Sequence, residues 1–289
     1  MDNYKLINLN DYVQTGEGGT SLTYTHKTRN AMAKLFNPGA EAELAKREFL
    51  TSRIVFNMGI PTPEPYQLIT DGQRLGVEYE LIKDKRSFTR IISQEPERLE
   101  ELSVTFARMV RDLHSKKADT SLIPSIKEVL RRFYLEKDLV DEEYKKRALD
   151  FLDKAPDADT CLHGDLHIGN IITDGHRNLW IDLGQFSYGV PEWDLGWMWT
   201  ICNRMDGKRS DFILHVTPEI LTAHWNIFIA AYLGMDDKEA IGRYVKRLMP
   251  FYAVKLPYMY SLLINGHLPE AALKALSQVI ELDNLIFNK

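Results

Sequence analysis

The chain has 289 residues, 36 Lys plus Arg against 41 Asp plus Glu, and a formal net charge of −5. That balance excludes a general attraction to nucleic acid or to an anionic membrane surface. No window approaches 18 uncharged apolar residues, so no transmembrane helix is expected. Two cysteines, Cys161 and Cys202, show no metal-ligand spacing and read as reduced thiols of a cytoplasmic protein.

Residues 1–82 read as short strands with one helix. The first five residues, Met1-Asp2-Asn3-Tyr4-Lys5, have neither the basic head nor the apolar core of a secretion signal. A glycine-rich turn, Thr15 to Ser21 with Gly16, Gly18 and Gly19, lies between strand-like runs. It is either a plain hairpin or a loop whose N–H groups approach phosphate oxygens. No G-K-[ST] follows, which disfavours the P-loop class. Lys34 lies inside the apolar run Ala31-Met32-Ala33-Lys34-Leu35-Phe36. A lone buried ammonium is expensive, so Lys34 needs a carboxylate or phosphate, unless it sits on an edge strand facing water.

Pro38-Gly39 and Gly59-Ile60-Pro61 bracket a helix over about residues 41–58. Helical spacing puts Glu48 on one face with Leu44 and Val55, where an acid could pair with Lys34. Glu43, sharing a face with Leu50 and Ile54, is the alternative. Residues 75–82 form another strand, ending at Glu80-Leu81-Ile82 before the charged Lys83-Asp84-Lys85. Residues 98–114 carry Leu102, Phe106, Met109, Val110 and Leu113 at helical steps, with His114 as a capping or packing residue. Residues 126–135 and 142–152 read as further helices.

The most informative stretch is Leu162 to Asn170, L-H-G-D-L-H-I-G-N, with Asp182 in Ile181-Asp182-Leu183-Gly184 twelve residues beyond Asn170. Asp165 and Asn170 are close enough for one tight loop to present both. Ile171-Ile172-Thr173, the turn dipeptide Asp174-Gly175 and Leu179-Trp180-Ile181 form a hairpin that delivers Asp182 beside Asn170. An oxygen-only pair, Asn170 and Asp182, suits Mg²⁺. Asp165 is then the base that orients an acceptor hydroxyl. A rival reading takes His163, Asp165 and His167, which alternate, as ligands for Fe(II) or Zn²⁺. It requires a strand that Gly164 and Gly169 weaken, and it leaves Asn170 and Asp182 without roles.

This stretch resembles the catalytic segment, H-G-D-x-H-x-x-N and a following D-x-G, of the aminoglycoside phosphotransferase and choline kinase superfamily. Leu183 stands where protein kinases carry Phe. The resemblance implies an α+β, two-lobed protein-kinase-like fold. Its β-rich nucleotide-binding lobe would span residues 1–82, and its mainly helical catalytic and substrate-binding lobe residues 83–289. It implies Asp165 as catalytic base, Asn170 and Asp182 as Mg²⁺ ligands, and His163 as a brace for the loop. ATP would be held by Lys34, Glu48, the glycines 16, 18 and 19, and the hinge at Glu80 and Ile82. Asp194, in Trp193-Asp194-Leu195, resembles a residue that braces the catalytic loop.

Residues 191–289 hold Trp193, Trp197, Trp199 and Trp225, and 10 Lys plus Arg against 11 Asp plus Glu. In the superfamily this region forms the acceptor pocket. Aromatics there could cage a cation or simply form core. The near-neutral balance gives no sign of the acidic cleft a polycationic aminoglycoside prefers. The expected partner is a small-molecule hydroxyl compound. A kinase-like binding module without catalysis is the non-enzyme alternative.

Overall fold

The computed structural model describes residues 4–17 and 20–263. In chain order the strands and helices begin with β1 (Lys5–Leu6), β2 (Tyr12–Glu17), β3 (Ser21–His26), β4 (Ala31–Phe36), α1 (Ala42–Asn57), β5 (Pro65–Thr70) and β6 (Leu75–Glu80). Next come β7 (Arg86–Ser87), α2 (Phe88–Gln94), α3 (Leu99–Ser115), α4 (Ile126–Glu136), α5 (Glu142–Lys154) and β8 (Cys161–Leu162). The remainder is β9 (Ile171–Thr173), β10 (Asn178–Trp180), β11 (Ser187–Tyr188), α6 (Glu192–Arg204), α7 (Gly207–Arg209), α8 (Pro218–Leu233) and α9 (Lys238–Leu263).

The chain divides into two compact units, and the division does not follow a single cut. The first comprises residues 1–96, 168–185 and 208–216; the second comprises 97–167, 186–207 and 217–289. Among the described residues, no helix is long and apolar enough to cross a membrane.

The first unit is built on a sheet of order β1-β5-β6-β4-β3-β2, antiparallel except where β1 runs parallel to β5. Strand alternation sorts β4 cleanly. Ala33 and Leu35 join Ile7, Tyr12 and Ile69 in a core on one face. Lys34 points to the other face and meets α1. On α1 the buried positions are Ala45, Glu48, Thr51, Ser52 and Val55, one stripe at helical spacing. Glu43 is exposed. The β9–β10 hairpin pairs Ile171 with Trp180 and turns at Asp174-Gly175, where Gly175 has φ +89° and Asp174 Oδ1 accepts from the amides of His176 and Arg177. Strand pairing, hydrogen bonds and apolar packing all tie it to this unit. β7 pairs with β9, Trp180 bonds both Pro61 and Thr62, and Ile172 and Leu179 pack on Ile82.

The second unit is helical. α3 packs on α8 through Phe106 and Phe228, whose ring centroids are 5.5 Å apart. α6 packs on α9 at Gly196, where a Cβ would lie 3.0 Å from the Leu248 carbonyl and 3.1 Å from the Tyr252 nitrogen. α9 contains Pro250 and Pro257. Pro257 has no N–H to give the Ala253 carbonyl four residues back. The Tyr144 hydroxyl supplies that bond at 2.6 Å, and Tyr134 donates to the adjacent Val254 carbonyl at 2.6 Å.

Candidate functional site

In the first unit, Lys34 is enclosed by carboxylates. Its Nζ lies 2.8 Å from Glu48 Oε1, 2.9 Å from Glu48 Oε2 and 2.5 Å from Asp182 Oδ1. The Lys34 and Glu48 side chains are nearly buried, whereas the Asp182 side chain is 46% exposed. Burial works against the Lys34 ammonium, but Asp182 and Glu48 outweigh it and raise its pKa above the ordinary lysine value. Glu48 is itself fixed. The buried Tyr79 hydroxyl donates to Glu48 Oε1 at 2.9 Å, and Ser52, one turn along α1, lies 3.2 Å from that hydroxyl. Burial, then the Glu48 charge, pushes the Tyr79 phenol well above its ordinary pKa, so it stays a donor.

Asp182 reaches Lys34 because the chain turns sharply there. Its φ is +58°, a left-handed conformation that Asp tolerates better than most residues. The following turn, Leu183–Gln185, packs on α1, and Gly184 brings its backbone close to Glu48. Asn170 is buried in the same unit at the end of the 3-10 turn Ile168–Asn170. Its carbonyl accepts from the Ile181 amide at 3.1 Å, so the hairpin brings Asn170 next to the Ile181-Asp182 step, as its spacing predicts. Hard oxygen donors on adjacent backbone, one of them half open to solvent, fit Mg²⁺ and not a softer metal.

In the second unit, the loop His163-Gly164-Asp165 is clamped by α6. Asp194 Oδ2 accepts from the His163 amide at 2.7 Å, and Oδ1 from the Gly164 amide at 2.9 Å. Gly164 has φ +83°. Trp197 Nε1 donates to Asp165 Oδ1 at 2.7 Å. The fully buried His163 accepts from the Asp165 amide through Nδ1 at 3.3 Å. Asp194 is buried, which by itself raises a carboxyl pKa. His114, Lys255 and His163 overcome that and hold it down to about 2. His114 Nε2 donates to Asp194 Oδ2 at 3.3 Å, and Lys255 Nζ lies 3.6 Å from Oδ1.

The sequence profile of the phosphotransferase enzyme family matches residues 11–215. The chain belongs to this family. The resemblance read from H-G-D-x-H-x-x-N is thereby borne out. Solved structures agree in fold, which is protein-kinase-like with a β-sheet N-lobe and a helical remainder. An ethanolamine kinase of Plasmodium vivax superposes with TM-score 0.59 at 18% identity, covering 94% of this chain and 81% of its own. Choline kinase LicA of Streptococcus pneumoniae gives 0.56 at 15%, covering 96% and 93%. Amicoumacin kinase hAmiN, in complex with AMP-PNP, Ca²⁺ and Ami, gives 0.57 at 13%, covering 97% and 90%. Among curated protein sequences, none matches.

Other expected site residues of this phosphotransferase-family chain are placed as follows. Gly16 pairs with Thr23 beside a β-bulge; Gly18 and Gly19 lie outside the described residues. Glu80 pairs with Arg177 at 3.3 Å, and Ile82 is core beside the hairpin. The His163/Asp165/His167 metal reading finds no support. Among the described residues, no group of three or more His, Cys, Asp or Glu could hold a metal ion. Cys161 is fully buried, which pushes its thiol up to about 11. Sequence reasoning missed Tyr79, Trp197 and Lys255, and took His114 for a cap or packing residue. For Lys255 the signal was present: a lysine inside the apolar run Phe251 to Leu256, the same pattern that singled out Lys34.

Proposed function

We propose that the chain is an ATP- and Mg²⁺-dependent phosphotransferase that moves the γ-phosphate to a hydroxyl of a small molecule. The observation that carries the reading is the Lys34 amine held between Glu48 and Asp182 at 2.5–2.9 Å. An ammonium fixed by one buried carboxylate, beside a second carboxylate half open to solvent, is built to receive phosphate oxygens and a metal. Family membership supports the reaction class. The expected division of labour is a nucleotide-binding lobe at residues 1–82 and a catalytic and substrate-binding lobe at 83–289.

In this reading Lys34, kept charged and oriented by Glu48, binds the phosphates. Gly16, Gly18 and Gly19 are the residues proposed to donate backbone N–H groups to them, and the hinge from Glu80 to Ile82 to receive the base. Asn170 and Asp182 would hold Mg²⁺, which when bound would neutralise phosphate charge. Asp165 accepts the proton of the acceptor hydroxyl. The acceptor oxygen bonds to the γ-phosphorus as the β–γ bridging P–O bond breaks and ADP leaves. The proposed compartment is the cytoplasm, and the near-neutral balance of residues 191–289 gives no sign of the acidic cleft that a polycationic aminoglycoside prefers.

The test is ADP release from Mg²⁺-ATP across a panel of choline-like alcohols, amino alcohols, sugars, nucleosides and aminoglycosides. Acceptor-dependent release that vanishes with EDTA is expected. Tight Mg²⁺-ATP binding without release for any acceptor would favour a binding module and refute the enzyme.

A further inference from the structure

We infer that Trp197 is a positioning residue for the phosphoryl transfer: its indole N–H fixes the rotamer of the Asp165 carboxylate that receives the acceptor's proton. The inference rests on the reading of Asp165 as the base. It is carried by geometry within the second unit. α6 presents Asp194 and Trp197 at i and i+3, hence on one face. From that face it grips three consecutive residues, the amides of His163 and Gly164 and the carboxylate of Asp165, at 2.7, 2.9 and 2.7 Å. The helix offering this grip is itself seated. Gly196 admits the α9 backbone, and the Trp193 carbonyl accepts from the buried Lys255 at 3.2 Å.

The chemistry of the indole gives the grip its meaning. An indole nitrogen donates and never accepts. Facing a carboxylate it can only donate, so it holds Asp165 as an acceptor and does not compete for the acceptor's proton. Trp197 is 7% exposed, so an indole released from Asp165 would leave a buried donor with little water to take the carboxylate's place. The carboxylate rotamer is thus held by a rigid group with only two rotatable bonds. A carboxylate free to rotate would present the acceptor with a mixture of geometries, and near-attack alignment is where such a loss is felt.

Trp197→Phe keeps an aromatic side chain and removes the donor. With Mg²⁺-ATP and the alcohol giving most ADP release in the panel, kcat should fall about 10–100-fold, the effect of losing a hydrogen bond to a charged group. The KM for ATP should stay within about twofold, and the melting temperature should fall by only a few degrees, from the smaller side chain and the lost donor, leaving the protein folded at the assay temperature. A folding-independent check uses full-length protein with ¹⁵N-labelled tryptophan. In Asp165→Ala the Trp197 indole cross-peak should move and exchange its proton faster, while the other four indoles hold. Wild-type kcat in Trp197→Phe, with Asp165→Asn inactive, overturns this inference alone. Wild-type turnover in Asp165→Asn overturns the base assignment and the inference with it. An unmoved indole signal in Asp165→Ala overturns the contact itself.

Discussion

Tyr79→Phe removes one oxygen from the first unit and tests the network behind Lys34. Tyr79, Glu48 and Ser52 are 7%, 5% and 2% exposed, so water replaces nothing that is lost. The lost donor served an ionised acceptor at 2.9 Å, worth about 1.5–3 kcal/mol. Ser52 loses its partner at 3.2 Å, and a buried hydroxyl left alone costs about 1–3 kcal/mol more. Phenylalanine escapes the phenol's own desolvation, which offsets part of both. The net expectation is a loss of about 2–3 kcal/mol. Ser52→Ala should cost about 1 kcal/mol, and the double variant less than the sum, because Ser52 is no longer there to be orphaned. Urea titration read by hydrogen exchange in peptides covering residues 31–57 confines the measurement to β4 and α1. A Tyr79→Phe cost under about 0.5 kcal/mol would show that Glu48 does not depend on the phenol, and the argument for a prefixed Lys34 would fall.

Gly76→Ala puts a Cβ 2.0 Å from the Lys34 carbonyl, on backbone that cannot yield without unpairing β4 from β6; a cost above about 3 kcal/mol is expected, read as lost soluble yield or unfolding midpoint. His224 is buried with its pKa pushed down to about 3 by desolvation. Between that value and the unfolded one near 6.5 the unfolded chain binds the extra proton, so stability should drop by roughly 1.4 kcal/mol per pH unit on acidification below about 6.5. A His224→Phe variant should lose that slope in denaturation at stepped pH. Asp194→Ala strips two buried amides and His114 of their acceptor and the buried Lys255 of its counter-charge, at a cost of about 3–5 kcal/mol in thermal or urea unfolding. Asp182→Ala should abolish Mg²⁺-dependent ATP binding in calorimetry; normal binding would refute the metal role.

What the sequence reveals and what it hides divides by the range of the interaction. The hairpin from Ile171 to Trp180 was legible because its register is set by a local turn, Asp174-Gly175. α1 was legible from its breakers and stripe, and the stripe chose Glu48 over Glu43. The short strands β1, β7, β8 and β11 carry no period of their own. They exist because a distant strand offers its edge, as β9 does to β7. Tyr79 looked like an ordinary strand aromatic; only the pairing of β6 with β4 and the packing of α1 place its hydroxyl at Glu48.

Lys255 marks where a physical rule could have reached further. An ammonium in an apolar run demands an anion wherever it falls, and the demand says nothing about which anion. For Lys34, spacing along the next helix narrowed the choice to two glutamates. For Lys255, the partner is 61 residues back, at the first turn of α6. Yet Asp194 had a complementary anomaly: a carboxylate within Trp193-Asp194-Leu195-Gly196-Trp197, too apolar a stretch to leave it solvated. Two buried charges of opposite sign, each unaffordable alone, are more economically explained as partners than as separate exceptions. Matching them fixes α9 against α6, and that contact seats the helix that grips the loop of Asp165.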